Sequence, residues 1–355
     1  MTAFQLRWPA LRGGLLALLA ALLFGISTPL VQAFGTGLGP FFTAALLYAG
    51  AAVMGLLLRQ PVQREARLVR SDATRLLAVA AFGAVLGPVA LAWGLQHVSG
   101  AGASLMLTLE AVFTALLARH LYRETMDSRV WAAMLLLTAG GVLLIFDQGR
   151  LGSVQMLGLL AVLLATAAWG VDNALSRALS ERDPGQVVLV KSVLGASATT
   201  TLGLAFGEAL PSANAALGLF ITGAAGYGLS LRFYLLAQRA FGAARTGSVF
   251  AFAPFIGAML AIALGDRSAG WMMAAGAALM LAGVLLHLAE THAHEHDHEA
   301  MEHEHAHRHD DGHHGHGHDH TQDSTPAREH SHAHRHEPFR HAHPHVPDAH
   351  HGHRH

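Results

Sequence analysis

The sequence predicts an all-α polytopic membrane protein: ten transmembrane helices in two inverted five-helix repeats, followed by a disordered histidine-rich tail. Three observations carry this prediction. The chain repeats itself, its apolar runs have the length of a bilayer, and its composition changes abruptly near Glu290. We expect domains at residues 1–148, 149–290 and 291–355, the last of them cytoplasmic.

The internal repeat is visible without any other sequence for comparison. Residues 96–144 match residues 238–286 at an offset of 142, so that Gln96 aligns with Gln238. A looser match at an offset of 144 aligns Gly14 and its neighbours with Gly158 and its neighbours. A duplicated unit of membrane-spanning helices is typical of transporters.

The apolar runs are hydrophobic on all sides, which distinguishes them from the amphipathic helices of a soluble domain. Each approaches the ~20 residues that cross ~30 Å of hydrocarbon. The predicted spans are residues 13–33, 38–58, 75–95, 100–120, 129–147, 155–177, 187–207, 214–236, 244–264 and 270–289.

Arginine residues predict the orientation, because cytoplasmic loops carry an excess of Lys and Arg. Alternate loops are rich in arginine, whereas those between carry only Arg150 and Arg267. Both termini are therefore expected in the cytoplasm of a bacterial-type inner or plasma membrane. Equivalent loops of the two repeats also have opposite charge bias: the loop at residues 59–75 is rich in arginine, and its counterpart at residues 207–214 has no basic residue. An odd number of spans per repeat requires this inversion.

Polar residues inside the predicted spans are candidates for transport or ion coupling. Glu110 lies near the middle of the fourth span, where a carboxylate costs a few kcal/mol unless it faces protein or water. Asp172 and Asn173 lie toward the end of the sixth span, and Lys191 lies at similar depth in the seventh. An Asp172–Lys191 ion pair is expected. For each group the alternative is a purely structural role that joins neighbouring helices.

Pro29, Pro88 and Pro254 fall within predicted spans. Proline frees a carbonyl group in the preceding turn, so kinked helices at these positions are candidates to line a cavity, with a static packing bend as the alternative. The spacings of Gly83 with Gly87 and of Gly223 with Gly226 indicate close helix packing.

Three stretches of the chain resemble the drug/metabolite transporter superfamily, in the branch built from two EamA repeats. They are residues 102–124, residues 169–191 and residues 242–258. The resemblance covers residues 10–290 and implies a ten-helix carrier with a central cavity between its halves, which moves small metabolites or drugs and is often proton-coupled. One departure is Ala111, which stands beside Glu110 where the family often has proline.

The tail holds 24 of the 27 histidines, because only His97, His120 and His287 precede residue 290. It has too few apolar residues to form a core and is predicted to be disordered. Imidazole and carboxylate groups suit Zn²⁺, Ni²⁺, Co²⁺ or Cu²⁺. The expected metal ligands are His292, His294, His296, His298, His303, His305, His307, His309, His316, His318 and His320.

Transport therefore remains the favoured activity: an exporter of small metabolites or drug-like compounds, modulated by metal through the tail and requiring no cofactor. A divalent-metal exporter and a membrane metal sensor that transports nothing are the alternatives. The expected partners are a small-molecule substrate, the lipid bilayer and divalent metal ions, and a homodimer is left open. A net charge near zero indicates no strong attraction to nucleic acid. Chance H-E-x-x-H matches are expected in a tract dense in His and Glu, so no enzymatic activity is predicted.

Overall fold

The computed structural model describes residues 7–59, 66–122, 126, 128–149, 152–179, 182–241 and 243–288, and four segments of the tail. Ten helical stretches in this part of the chain are long and apolar enough to cross a membrane, which confirms the predicted count. The first to tenth spans are Arg12–Gly35, Pro40–Leu57, Arg70–Leu95, Gly100–Leu121, Ser128–Asp147, Ser153–Ser176, Pro184–Ala205, Ala213–Ala240, Thr246–Ala263 and Trp271–Leu288.

The third and eighth spans, which are equivalent in the two repeats, contain the same irregularity. Each includes six residues of π-helix, Ala81–Leu86 in the third and Ala224–Leu229 in the eighth. A π-helical segment holds one residue more than an α-helix needs and is frequent at functional sites. Regular helix lies on both sides, as Ala73–Ala80 and Gly87–Leu95 in one span and Ala213–Gly223 and Ser230–Phe241 in the other.

The fourth and ninth spans are also interrupted at equivalent positions. The fourth consists of Gly100–Met106, a 3₁₀ turn at Leu107–Leu109, and Glu110–Tyr122. The ninth consists of Ala243–Phe250 and Ala253–Ala263, joined by a two-residue turn. The remaining helices are continuous: Arg7–Gly35, Pro40–Leu57, Ser128–Gly149, Ser153–Ser176, Pro184–Ala205 and Trp271–Leu288.

Helix packing follows a pseudo-two-fold rule that exchanges the repeats. The second span packs along the seventh, the fifth along the tenth, and the fourth on the ninth. The first span packs on the eighth and ninth, just as the sixth packs on the third and fourth. The interior of the domain is therefore built from both halves of the chain.

Equivalent spans run antiparallel, which is the geometric counterpart of an inverted repeat. Gly55 lies against Leu189, whereas Gly203 lies against Phe42, so residue numbers rise in one helix as they fall in its partner. The fifth and tenth spans are antiparallel as well. A Cβ added to Gly140 in the fifth span would stand 2.7 Å from a backbone oxygen of the tenth span. Only glycine permits so close an approach of two helix backbones.

In the tail, the four described segments form strands: Ala293–His298 pairs with Phe339–Pro344, and Met301–His307 pairs with His330–His336, both antiparallel. Their alternation of histidine with other residues has the period of two that an extended strand requires. Disorder of the tail as a whole stays a prediction. The expected ligands His292, His309, His316, His318 and His320 lie outside the described residues.

Candidate functional site

A cavity lies where the two repeats meet, and all four of the polar residues predicted to act in transport line it. Its volume is about 470 Å³, open mouth included. The lining residues are Phe24, Tyr48, Glu110, Trp169, Asp172, Asn173, Lys191, Gly226, Tyr227, Ser230, Leu231, Tyr234 and Phe250.

The expected ion pair is present on one wall of this cavity. Lys191 Nζ lies 2.5 Å from Asp172 Oδ2, and the two side chains are only 3% and 7% exposed. Ser176 donates a hydrogen bond of 3.2 Å to the other carboxylate oxygen of Asp172. The seventh span begins at Pro184, and Asp183 is its N-cap, with a side chain that accepts a hydrogen bond from Gly185 N. Lys191 therefore lies two turns inside this helix. Each charge compensates the other in a region where an unpaired charge is costly.

Glu110 is held differently, by a neutral group. Asn173, the neighbour of Asp172 in the sixth span, donates a hydrogen bond from its side-chain amide to Glu110 Oε1. Within the part of the chain that the structure describes, no salt bridge reaches Glu110. Glu110 is the first residue of the helix that follows the 3₁₀ turn of the fourth span. Glu110 is half-buried within a membrane span, where an ionised carboxylate without a cation is unfavourable, so this group calls for a proton or a positively charged ligand.

The π-helix of the third span shapes the wall beside the ion pair. Gly87 donates its N–H to Phe82 O, five residues back, and Pro88 has no N–H to offer the next carbonyl. The carbonyl of Gly83 is therefore left for side chains. Tyr48 Oη and Trp169 Nε1 both donate to it, the latter at 3.0 Å. Gly83 also has no side chain, and a Cβ there would overlap the Asp172–Lys191 pair. The spacing of Gly83 with Gly87 indicated close helix packing in the sequence. In the structure, the missing side chain of Gly83 leaves room for the Asp172–Lys191 pair.

The remaining wall is aromatic. Phe24 meets Trp169 edge-on with ring centroids 5.6 Å apart and meets Tyr227 at 5.7 Å. Tyr234 and Phe250 form another edge-on pair at 5.0 Å. Such rings present an apolar and polarisable surface that accepts flat or cationic ligands. The cavity therefore combines one compensated charge pair, one uncompensated carboxyl group and an aromatic surface.

Contacts join the two repeats beyond the cavity at both ends. At the end rich in arginine, Arg182 Nε lies 3.0 Å from Asp72 Oδ2, and Asp183 N donates to Ala66 O at 2.8 Å. At the opposite end, Glu208 accepts from the backbone N–H of Phe42 at 2.8 Å.

Asp266 adds a second contact at that opposite end, because it accepts from Ala101 N at 2.9 Å. Burial alone would raise the pKa of Asp266, but hydrogen bonds from Ser268 and Ala101 outweigh burial and hold that pKa below its ordinary value.

The three prolines stand apart from the cavity. None of them is among the described residues that line it. The first span continues as helix through Pro29, whereas Pro88 follows the π-helix of the third span and Pro254 follows the turn in the ninth. Pro88 and Pro254 can act on the site only indirectly, through the backbone irregularities beside them, and Pro29 accompanies no such irregularity.

The aromatic residues of the cavity were missed by reasoning from sequence. Nothing in the sequence separates Tyr48 or Tyr227 from aromatic residues that simply pack in a membrane domain. Trp169 carried one usable signal, since it stands three residues before Asp172 and so shares a face of the sixth span with it. Among the described residues, no group of three or more His, Asp or Glu side chains could hold a metal ion.

Comparisons with known proteins agree with this architecture. A model of the EamA-like transporter family matches the chain twice, at residues 11–146 and 156–289. An uncharacterized transporter of Methanothermobacter thermautotrophicus is 28% identical over 291 residues, with 75% of this chain and 83% of that protein covered. One solved crystal structure has a TM-score of 0.59 at 18% identity and covers 77% of this chain and 94% of its own. At that identity the likeness concerns the fold alone.

Proposed function

The chain belongs to the EamA-like transporter family, and from that premise we propose that it exports small metabolites or drug-like compounds by alternating access through the cavity at Glu110. It is an integral multi-pass membrane protein. The observation that carries the proposal is a half-buried carboxyl group in a cavity between inverted repeats, bound among the described residues to a neutral amide and to no cation.

Glu110 is the coupling group in this proposal. A carboxylate in such surroundings is neutralised either by a proton or by a positively charged group of the substrate. Because only one of them can occupy the site, arrival of the proton releases the substrate. The Asp172–Lys191 pair beside it is already neutral and keeps the rest of the wall free of net charge. Opening of one set of contacts between the repeats, at Arg182 or at Glu208, gives access from one side at a time.

Glu110→Gln tests this role directly, because it keeps the size of the side chain and removes its ability to ionise. In cells that express the full chain and are loaded with a panel of amphipathic amines, we expect export to fall at least about tenfold. The amount of protein inserted in the membrane should not change. Asp147→Asn is the matched control, since Asp147 ends the fifth span and is not among the described residues that line the cavity. Undiminished export by Glu110→Gln would contradict the proposal.

The same variants separate metabolite export from metal export. Cellular Ni²⁺, Co²⁺ and Zn²⁺ would be measured in cells with the full chain, with Glu110→Gln and with a chain ending at Glu290. Lower metal content that depends on Glu110 would favour a metal exporter. Metal content that follows only the presence of the tail would leave the membrane domain to carry metabolites.

The tail in our proposal binds Zn²⁺, Ni²⁺, Co²⁺ or Cu²⁺ and modulates transport. The strand register supports this: His303 stands opposite His334, and His305 stands opposite His332. Imidazole is a preferred ligand of metal ions of this class.

Both termini are proposed to be cytoplasmic, and the chain is well suited to a test because it contains no cysteine. Ser71 lies at the end rich in arginine, and Ser212 lies at the opposite end. A membrane-impermeant thiol reagent applied to intact cells should label Ser212→Cys and should label Ser71→Cys only after lysis. The reverse pattern would invert the proposed orientation.

A further inference from the structure

Tyr227 is a buried tyrosine of the cavity whose hydroxyl group is not used by the protein. Its side chain lines the cavity and the residue is 5% exposed. The hydroxyl has no hydrogen-bond partner among the described residues. Ser27 is its polar neighbour, yet Ser27 donates its own proton to Phe24 O at 2.6 Å and forms no hydrogen bond of proper geometry with Tyr227. Buried hydroxyl groups rarely stay unpaired, so this one requires an explanation.

Four other polar side chains that line the same cavity have partners in the protein. Tyr48 donates to Gly83 O, and Ser230 donates to Ala20 O at 2.8 Å. Lys191 and Asn173 are bound to carboxylates. Tyr48 and Tyr227 touch each other edge-on, with ring centroids 5.6 Å apart. Two neighbouring tyrosines of the same cavity therefore differ in one respect, which is whether the protein supplies a partner for the hydroxyl.

The ring of Tyr227 is held in place, so its hydroxyl has a defined position. It lies in the π-helix Ala224–Leu229 and packs edge-on against Phe24 as well as Tyr48. The equivalent position in the π-helix of the first repeat is Ala84, which has no polar side chain. The hydroxyl is therefore not required by the repeated architecture.

We propose that Tyr227 determines substrate specificity: its hydroxyl binds an oxygen-containing polar group of the substrate, while a positively charged group of the same molecule meets Glu110. This inference rests on the proposed function. The aromatic wall between the two groups accommodates an apolar body, preferably a ring. The substrate class is thus a small amphipathic amine that carries a hydroxyl or carbonyl group at a distance from the nitrogen.

Tyramine and phenethylamine form a probe pair for this proposal, because they differ only in a phenolic hydroxyl. Binding of each to the purified full chain in detergent would be measured by thermal stabilisation. We expect the wild-type protein to bind tyramine about fivefold more tightly, the ratio that one net hydrogen bond provides. Tyr227→Phe should reduce the ratio to about one, mainly through weaker tyramine binding. Tyr48→Phe is the matched control and should keep the preference, because its hydroxyl is engaged with Gly83.

The outcomes separate this inference from the proposed function. Phenethylamine binding by Tyr227→Phe shows that the variant has a folded cavity. A preference that survives in Tyr227→Phe, equal binding of both amines by the wild type, or no binding of either amine would each overturn the inference. If the preference is lost in Tyr227→Phe while proteoliposomes export neither amine, the inference stands and the export proposal fails.

Discussion

The two repeats have closely similar backbones and very different side chains in the cavity. Both contain a six-residue π-helix, both interrupt the next span, and each packs on the other by the same rule. The ionisable groups of the cavity have no such counterparts. At the offsets of their flanking segments, Glu110, Asp172 and Lys191 correspond to Phe252, Thr28 and Leu47.

This difference separates two demands on the protein. Alternating access requires a scaffold that can be arranged in two equivalent ways, and duplicated backbone provides it. Substrate binding and coupling require charges in a defined arrangement. One carboxyl group and one ion pair satisfy that demand, and a second copy would add buried charges at further cost. We therefore expect substitutions of the charged cavity residues to reduce stability or transport strongly, and substitutions at the equivalent positions of the other repeat to have small effects.

The largest effect is expected from Lys191→Met, compared with Leu47→Met at the equivalent position of the first repeat. Loss of the lysine leaves Asp172 buried without its partner, which costs about 3–5 kcal/mol. Leu47 is fully buried among apolar groups, and its replacement by methionine costs less than about 1.5 kcal/mol. Thermal unfolding of the two purified variants measures the difference.

A further variant identifies the cause of that loss. Replacement of both partners, as Lys191→Met with Asp172→Leu, should recover most of the stability because no unpaired charge remains. If Lys191→Met were as stable as Leu47→Met, the pair would not be a structural element of the fold, and the comparison between the repeats would lose its main support.

An intermediate effect is expected from Gly83→Ala, with Gly247→Ala as its control. A Cβ on Gly83 would stand 2.7 Å from Lys191 Nζ and would overlap the carboxylate of Asp172. The pair must move, at a cost of about 1–3 kcal/mol, and amine binding should weaken with it. Among the described residues no heavy atom lies within 4 Å of a Cβ on Gly247, so alanine there should stabilise its helix slightly. Equal melting temperatures for both variants would contradict this account.

The smallest effect is expected from Asp266→Asn, at a contact that joins the ninth span to the start of the fourth. Because the pKa of Asp266 is lowered in the folded protein, its carboxylate contributes stability above the ordinary aspartate pKa near 4. That contribution is lost as the pH falls through the lowered value. The wild-type advantage over Asp266→Asn should therefore be present at pH 7 and disappear in acid. An advantage that persists in acid would show that the charge is not its source.

Hydrophobicity and charge in the sequence predicted the ten spans, because those properties depend on composition over about twenty residues. The ion pair was predictable too, since Asp172 and Lys191 are charged residues at similar depth on consecutive spans. The partnership of Glu110 with Asn173 was not, because it depends on how the fourth and sixth spans pack. The π-helices also escaped prediction, since they arise from one additional residue in an otherwise helical pattern and change neither hydropathy nor length noticeably.

The additional residue in each π-helix bears on how the two repeats arose. Insertion of a residue into a membrane helix rotates everything beyond it by about 100°, so it survives only where the rotated face is useful. Here it stands at the same place in both copies. One insertion in an ancestral five-helix protein accounts for both, whereas insertion after the duplication would have to happen twice at one position. A single insertion before the duplication is therefore the simpler account of the two π-helices.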